Sequence, residues 1–272
     1  MNAFPPDWLT PDWPAPPGVR AVCTARAGGI SRPPYDSFNL GDHVGDDPLA
    51  VQANRAALQD ALQARPVFLQ QVHGTQVLTL HGDEPDGSTA DGCVTTRRGL
   101  ACTIMVADCL PVLLAHSSGR VVGAAHAGWR GLAGTPGAGV LEQILGQFLA
   151  AARMEYGSPT IKSIAHGDVP DEVIAWLGPC IGPDAFEVGA EVKAAFEAHD
   201  PQAATMFRPH TPGKWLANLP GLARQRLAAL GVTQVYGNDG SAGWCTVANA
   251  SRFFSHRRDR VSGRLAACVW LA

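Results

Sequence analysis

The sequence predicts an α/β fold, α+β-like in mixing strand directions, on three observations. Helical apolar periodicity recurs in separate segments, and strand-like runs bounded by Gly, Asp, Ser and Pro fill the middle of the chain. No internal repeat or Gly/Ser/Pro-rich linker divides it, so residues 19–272 read as a single catalytic domain behind an extended Pro-rich arm, 1–18. The 272 residues are 46% hydrophobic and 17% charged, and a chain this long buries roughly 75% of the surface its unfolded form exposes.

The arm holds six Pro and two Trp with no periodicity, which suits an extended segment lying on the surface or across a groove. Asp46 and Asp47 before Pro48 make an N-cap and a first-turn proline, and Val51, Leu58 and Leu62 continue at helical spacing to about Ala64. Strands follow at Val67–Val72, Gln76–Leu80, Ala101–Ala107, Val112–Ala115 and Val121–Ala125. Thr135 and Pro136 open a helix whose Leu141, Ile144, Leu145, Phe148 and Leu149 share one face until Gly157. A surface loop, Ser158–Asp171, precedes a strand at Val173–Leu177. Helices are expected at Gly189–His199 and Leu219–Leu230, then a strand at Val232–Tyr236 and a hairpin of Arg252–Arg257 with Arg264–Leu271.

Composition excludes several function classes. Lys+Arg 21 against Asp+Glu 24 leaves a net charge of -3 with no basic run, so nucleic acid is not an expected partner. Apolar runs are short and the first twenty residues lack an apolar core, which reads as a cytoplasmic protein with no membrane or export segment. Seven irregularly spaced Cys without a Cys-x-x-Cys pair argue against a disulfide framework.

Three strand ends finish in a metal-capable side chain beside a turn or breaking residue: His73-Gly74, Cys109-Leu110-Pro111 and His126-Ala127-Gly128. One thiolate and two imidazoles supply three of zinc's four tetrahedral positions, leaving the fourth for water or substrate. Their intervals match no local zinc motif, so the residues alone also allow two hydrogen-bonded histidines and a small buried thiol. Asp108 is the nearest carboxylate to Cys109 and a candidate proton carrier; strand alternation points it to the other face, and capping a turn is the plainer role. For phosphate, Arg26 with the Gly28-Gly29-Ser31 loop and Arg130 after His126 are the candidates, because paired glycines let backbone N–H groups approach an anion and arginine offers a fork.

Arg26-Ala27-Gly28-Gly29-Ile30-Ser31, Gln71-Val72-His73-Gly74, Ala90-Asp91-Gly92, Ala107-Asp108-Cys109-Leu110-Pro111 and Ala125-His126-Ala127-Gly128-Trp129-Arg130-Gly131 occur in order. Leu177-Gly178-Pro179, Phe186-Glu187-Val188-Gly189, Cys245-Thr246 and Phe253-Phe254-Ser255 continue the series. Together they resemble the laccase-domain family of purine nucleoside phosphorylases, the YfiH-like or polyphenol oxidoreductase proteins. The resemblance implies a layered α/β/β/α sandwich with mixed sheets and zinc on His73, Cys109 and His126. It also implies phosphorolysis of adenosine, inosine, guanosine and methylthioadenosine, with adenosine deamination as a further activity. The chain departs from the pattern at Phe186 and His256, where tyrosine is expected, and around Ser163–Pro170, which is longer. Asn39, Arg55, Cys180 and Cys245 carry no assigned chemistry.

Rival functions follow from the same residues. A Cys with two His also describes a copper site, but a multi-copper oxidase needs many imidazoles and this chain has nine His with no His-x-His pair. Cys109 with His126 as base would suit an amide hydrolase, and the resemblance adds peptidoglycan-precursor editing to that alternative. A binding protein with a vestigial metal site could use the N-terminal arm as a contact element. One geometric expectation tests a shared metal site. If Ser118-Gly119 makes a two-residue turn, His126 faces Pro111 and Cys109 lies one diagonal step away on the same face; if Ser117-Ser118 does, Cys109 faces His126 directly. A three-residue loop would send Cys109 to the far face unless a bulge at Pro111 corrects it. A two-residue turn or that bulge is expected, with the Cys109 sulfur and a His126 nitrogen within roughly 4 Å.

Overall fold

The computed structural model describes residues 4–135, 138–156 and 172–272. In chain order the elements begin with β1 (Val19–Cys23), α1 (Pro48–Leu62), β2 (Arg65–Gln70), β3 (Val77–Leu80), β4 (Ser88–Thr89), β5 (Gly92–Thr95), β6 (Leu100–Val106), β7 (Leu110–His116) and β8 (Val122–Ala127). Helices α2 (Trp129–Ala133) and α3 (Val140–Tyr156) come next, followed by β9 (Val173–Leu177), β10 (Glu187–Gly189) and α4 (Ala190–Glu197). The chain ends with β11 (Phe207–Pro209), β12 (Lys214–Ala217), α5 (Leu219–Ala229), β13 (Gln234–Gly237), α6 (His256–Asp259) and β14 (Leu265–Leu271).

Two mixed sheets form the centre. One has the order β1-β14-β6-β2-β4, the other β13-β9-β7-β8-β5-β3, and a small sheet orders β10-β12-β11. Side-chain alternation shows why they stack. Cys102, Ile104 and Val106 of β6 pack with Leu113 and Ala115 of β7 and Val122 and Ala124 of β8 in one cluster between the sheets. The opposite faces serve the helices. Ala101, Met105, Cys268 and Trp270 pack with Leu58 and Leu62 of α1, while Val112, Leu114 and Ala125 pack with Ile144, Leu145 and Phe148 of α3. The layers are therefore α/β/β/α, and each central strand is apolar on both faces because both are covered.

The Asp47 side chain caps α1 from Leu49 N, as its sequence suggests. Most expected strands and helices are present, with three exceptions. Strand β2 stops at Gln70, two residues early, because the amides of Val72, His73 and Gly74 bond the Asp91 carboxylate instead. Helix α3 begins at Val140; Pro136 and the expected loop Ser158–Asp171, with the long stretch Ser163–Pro170, lie outside the described residues.

The hairpin of Arg252–Arg257 with Arg264–Leu271 does not form. Phe253 and Phe254 are both buried between the sheets, which strand alternation does not allow on a one-sided ribbon, and Ser255 turns the chain into α6. Strand β14 pairs with β1 and β6 instead. The arm is likewise not a free contact element. Trp8 is buried on Phe38, and Leu9 bridges Cys23. The seven cysteines are all unpaired thiols, and among the described residues no helix is long and apolar enough to cross a membrane.

Candidate metal centre

Sheet register brings the site together at one end of the sandwich. Pro111 of β7 stands opposite His126 of β8, as a Ser118-Gly119 turn requires, although the reversal is wider: Gly119 N bonds His116 O and His116 N bonds Val121 O. Cys109 follows the alternation of Pro111 and Leu113, so its sulfur points between the sheets with the His126 imidazole. Cys109 also sits where the chain crosses from β6 in one sheet to β7 in the other. That corner needs a positive φ of 94° at Asp108.

The nitrogen and sulfur ligand atoms of His73, Cys109 and His126 all lie within 4.8 Å of one another. His73 Nε2 is 3.6 Å from Cys109 Sγ, and the two imidazole centroids are 4.7 Å apart. Close approach of backbones makes this geometry. A Cβ on Gly128 would lie 2.8 Å from His73 Cδ2 and 3.0 Å from Cys109 Sγ, and one on Gly131 would lie 2.6 Å from Gly74 O. Only glycine lets α2 sit against the His73 loop, where His73 itself has φ 59°.

Asp91 is the hub that spacing did not reveal. It lies opposite His126 at the end of the β5–β8 ladder, where His126 N donates to Asp91 O at 2.7 Å. Its fully buried carboxylate takes His126 Nδ1 at 2.8 Å and the amides of Val72, His73 and Gly74 at 3.2, 2.9 and 2.6 Å. Burial opposes its ionisation, but the His126 imidazole and these amides outweigh that and hold the carboxyl below its ordinary range. One hydrogen-bonded carboxylate thus orients one candidate ligand and shapes the loop of another.

The donor set fits a metal ion. Burial alone would raise the Cys109 thiol, yet His126 and His73 pull it down to about 6, so a thiolate forms readily. Burial works against the charged His126 imidazole, and the Cys109 sulfur and Asp91 raise it to about 9. With Nδ1 bonded to Asp91, His126 has Nε2 left to offer an ion.

These ligands open on a cavity of about 360 Å³, small-molecule sized, lined also by Gln71, Asp108, Arg130, Ile181, Phe186 and His256. The Gln71 amide exchanges two hydrogen bonds of 2.8 Å with the Met105 backbone, fixing the start of the His73 loop. Asp108 reaches the cavity wall, but its two oxygens accept from Thr246 Oγ1 and Arg257 N, each at 2.6 Å. Arg130 lines the cavity and stacks over Trp129.

Arg26 is not brought here. Its guanidinium is bound to Asp36 O and Oδ1 at 2.7 and 3.0 Å and packs over Phe254, away from the three ligands, so it is a structural brace. The glycine loop beside it is likewise consumed: Gly29 N bonds Ser37 Oγ and Ile30 N bonds Asn54 Oδ1. Asn39 and Arg55 tie loops together, and the backbones of Cys180 and Cys245 meet in an isolated parallel β-bridge, both thiols remaining free.

Comparison with known proteins agrees with this architecture. Residues 20–272 match the family described as multi-copper polyphenol oxidoreductase laccase. A Pseudomonas aeruginosa protein named purine nucleoside phosphorylase is 48% identical over 272 residues, covering 100% of this chain and 99% of its own. An Escherichia coli protein named purine nucleoside phosphorylase YfiH is 46% identical over 265 residues, 97% of this chain and 98% of its own. A crystal structure of a Neisseria meningitidis protein superposes with TM-score 0.83 at 43% identity, covering 97% of this chain and 99% of that one. YlmD from Geobacillus stearothermophilus superposes with TM-score 0.82 at 29% identity over 100% of this chain and 98% of that one. The chain belongs to the multi-copper polyphenol oxidoreductase laccase family, the YfiH-like proteins.

Proposed function

We propose that this family member is a purine nucleoside phosphorylase acting on adenosine, inosine, guanosine and methylthioadenosine, with zinc at His73, Cys109 and His126. The observation that carries the reading is the convergence of those three side chains on a small-molecule cavity with arginines in its wall. The names of the relatives support the same reaction.

The reaction joins a phosphate oxygen to the anomeric carbon and breaks the C–N bond to the purine, which leaves with the bonding pair and takes up a proton. Free base results with ribose 1-phosphate, or with 5-methylthioribose 1-phosphate from methylthioadenosine. Zinc, when bound, supplies Lewis-acid stabilisation of developing negative charge. Asp91 keeps the His126 ring in one tautomer and Cys109 brings an ionised sulfur. The cavity arginines hold the anionic substrate, Arg130 among them. Asp108 holds Arg257 and Thr246 in place rather than moving protons. Adenosine deamination is a lesser activity on this reading, because it needs a carboxylate to shuttle protons and both Asp91 and Asp108 are fully engaged.

Zinc is preferred to copper on the donor set. A thiolate with two imidazoles suits either as a single ion, whereas a multi-copper cluster needs more imidazoles than this one group of ligands among the described residues provides. A second reading has one observation in its favour. Cys109, His126 and Asp91 are arranged as nucleophile, base and orienting carboxylate, which suits amide hydrolysis of a peptidoglycan precursor. Product analysis separates the two. Inosine turnover that requires phosphate and releases ribose 1-phosphate supports phosphorolysis; free ribose formed equally well without phosphate, or cleavage of an amide-linked precursor alone, would replace it.

A further inference from the structure

Among the described residues the cavity wall holds four arginines, Arg130, Arg257, Arg260 and Arg264, against one carboxylate, Asp108, whose oxygens are spent. Arg264 is the most thoroughly built in. Its amide donates to the fully buried Asn39 side chain at 2.8 Å, and its carbonyl accepts from Leu40 N. Gly41 packs so closely that a Cβ there would lie 2.7 Å from Arg264 Cγ. The guanidinium is anchored at Nη1 alone, to Ser262 O and Gly263 O at 2.8 and 3.1 Å.

Arg257 repeats the pattern. Its amide is fixed by Asp108, next to Cys109 in the chain, and Nη1 donates to Glu187 O at 3.1 Å. No described residue accepts from Nε or Nη2 of either arginine. Each therefore keeps one two-donor edge unspent, in a residue that lines the same cavity as His73, Cys109 and His126, and it is such an edge that grips two oxygens of a tetrahedral anion.

We propose that Arg264, seconded by Arg257, is the binding subsite for inorganic phosphate. The choice of free phosphate over a phosphate carried by a nucleotide rests on the phosphorolytic reading above. The subsite takes the role the sequence suggested for Arg26, whose fork is consumed by Asp36.

The test is calorimetric binding of inorganic phosphate to the zinc-loaded full chain and to its Arg264→Met, Arg264→Lys and Arg257→Met variants, with zinc content and inosine binding measured on each. Phosphate affinity should fall about thirtyfold or more in Arg264→Met, as when one partner of a desolvated charge pair is truncated. Arg264→Lys should weaken it less, and inosine binding and zinc content should hold. Lysine keeps the charge without the fork, so it carries the test if the methionine variant does not fold. Unchanged phosphate affinity in a folded Arg264 variant overturns the proposal. So does loss of adenosine monophosphate binding with phosphate binding intact, which would assign the subsite to nucleotides. Phosphate binding that depends on Arg264 in a protein that makes no ribose 1-phosphate upholds the subsite and removes the phosphorylase reading instead.

Discussion

Two hydrogen-bonded knots tie down the family-like motifs, one centred on Asp91 and the other on Asn54. Both are buried and both collect partners distant in sequence. The Asn54 amide bonds Ser31 Oγ, Ser37 O, Asn39 O and Ile30 N, and Arg26 closes the same loop through Asp36. The Asn54 amide and the Arg26 fork are both spent on other protein groups. The Asp91 knot instead spends its carboxylate on orienting others, leaving the ligand atoms of His126, His73 and Cys109 gathered within 4.8 Å at a cavity. A motif rich in Gly, Arg and Ser marks a polar knot; whether it does chemistry depends on what remains unspent after folding.

The largest contrast should come from Cys109→Ala, which removes the ionised ligand. Metal analysis should find close to one zinc per wild-type chain and almost none in the variant, with turnover lost. Full occupancy in Cys109→Ala would erase the distinction between the knots. Asp91→Asn should be milder at the metal, lowering zinc affinity about 10- to 100-fold in competition with a chelator. Retained affinity would mean that the His126 orientation is set elsewhere.

Proton uptake sharpens the comparison further. The Cys109 thiol titrates near 6, below its ordinary 9.0, so its contribution to stability is complete above the ordinary value and lost as pH falls through about 6. His126 is raised from 6.5 to about 9, so its contribution is complete below 6.5 and lost as pH rises through about 9. Metal-free protein should therefore keep its ultraviolet thiolate absorbance down to about pH 6, and a midpoint near 9 would contradict the coupling.

On the other knot the effects should be structural. Asn54→Ala should cost about 2–3 kcal/mol in denaturant unfolding by orphaning buried backbone groups, with zinc stoichiometry unchanged. The smallest effect at the site is expected from Arg26→Gln, whose KM for phosphate should stay within about twofold of wild type, the guanidinium being already bound to Asp36. A large rise in that KM would restore Arg26 as a phosphate ligand.

The sandwich was legible because its signals are local. Asp47 and Pro48 announce α1, and strand alternation with the His126–Pro111 pairing places Cys109 and His126 on one face. What escaped reading depends on distant partners. Asp91 is one carboxylate among many until the β5–β8 register sets it against His126. Arg257 and Arg264 lie over 120 residues from His73, Cys109 and His126 in sequence, and Phe253-Phe254 looks like a strand until both rings are seen buried between sheets. Arg26 was misread for the complementary reason, since spacing shows a fork but not the Asp36 that fills it.

The central claim is that one ion is held jointly by His73, Cys109 and His126, and X-ray absorption on the zinc-loaded protein addresses it directly. The account predicts one sulfur at about 2.3 Å and nitrogen ligands at about 2.0–2.1 Å, with the sulfur contribution gone in any metal retained by Cys109→Ala. A ligand shell without sulfur in the wild-type protein, or one unaltered by that substitution, would contradict it.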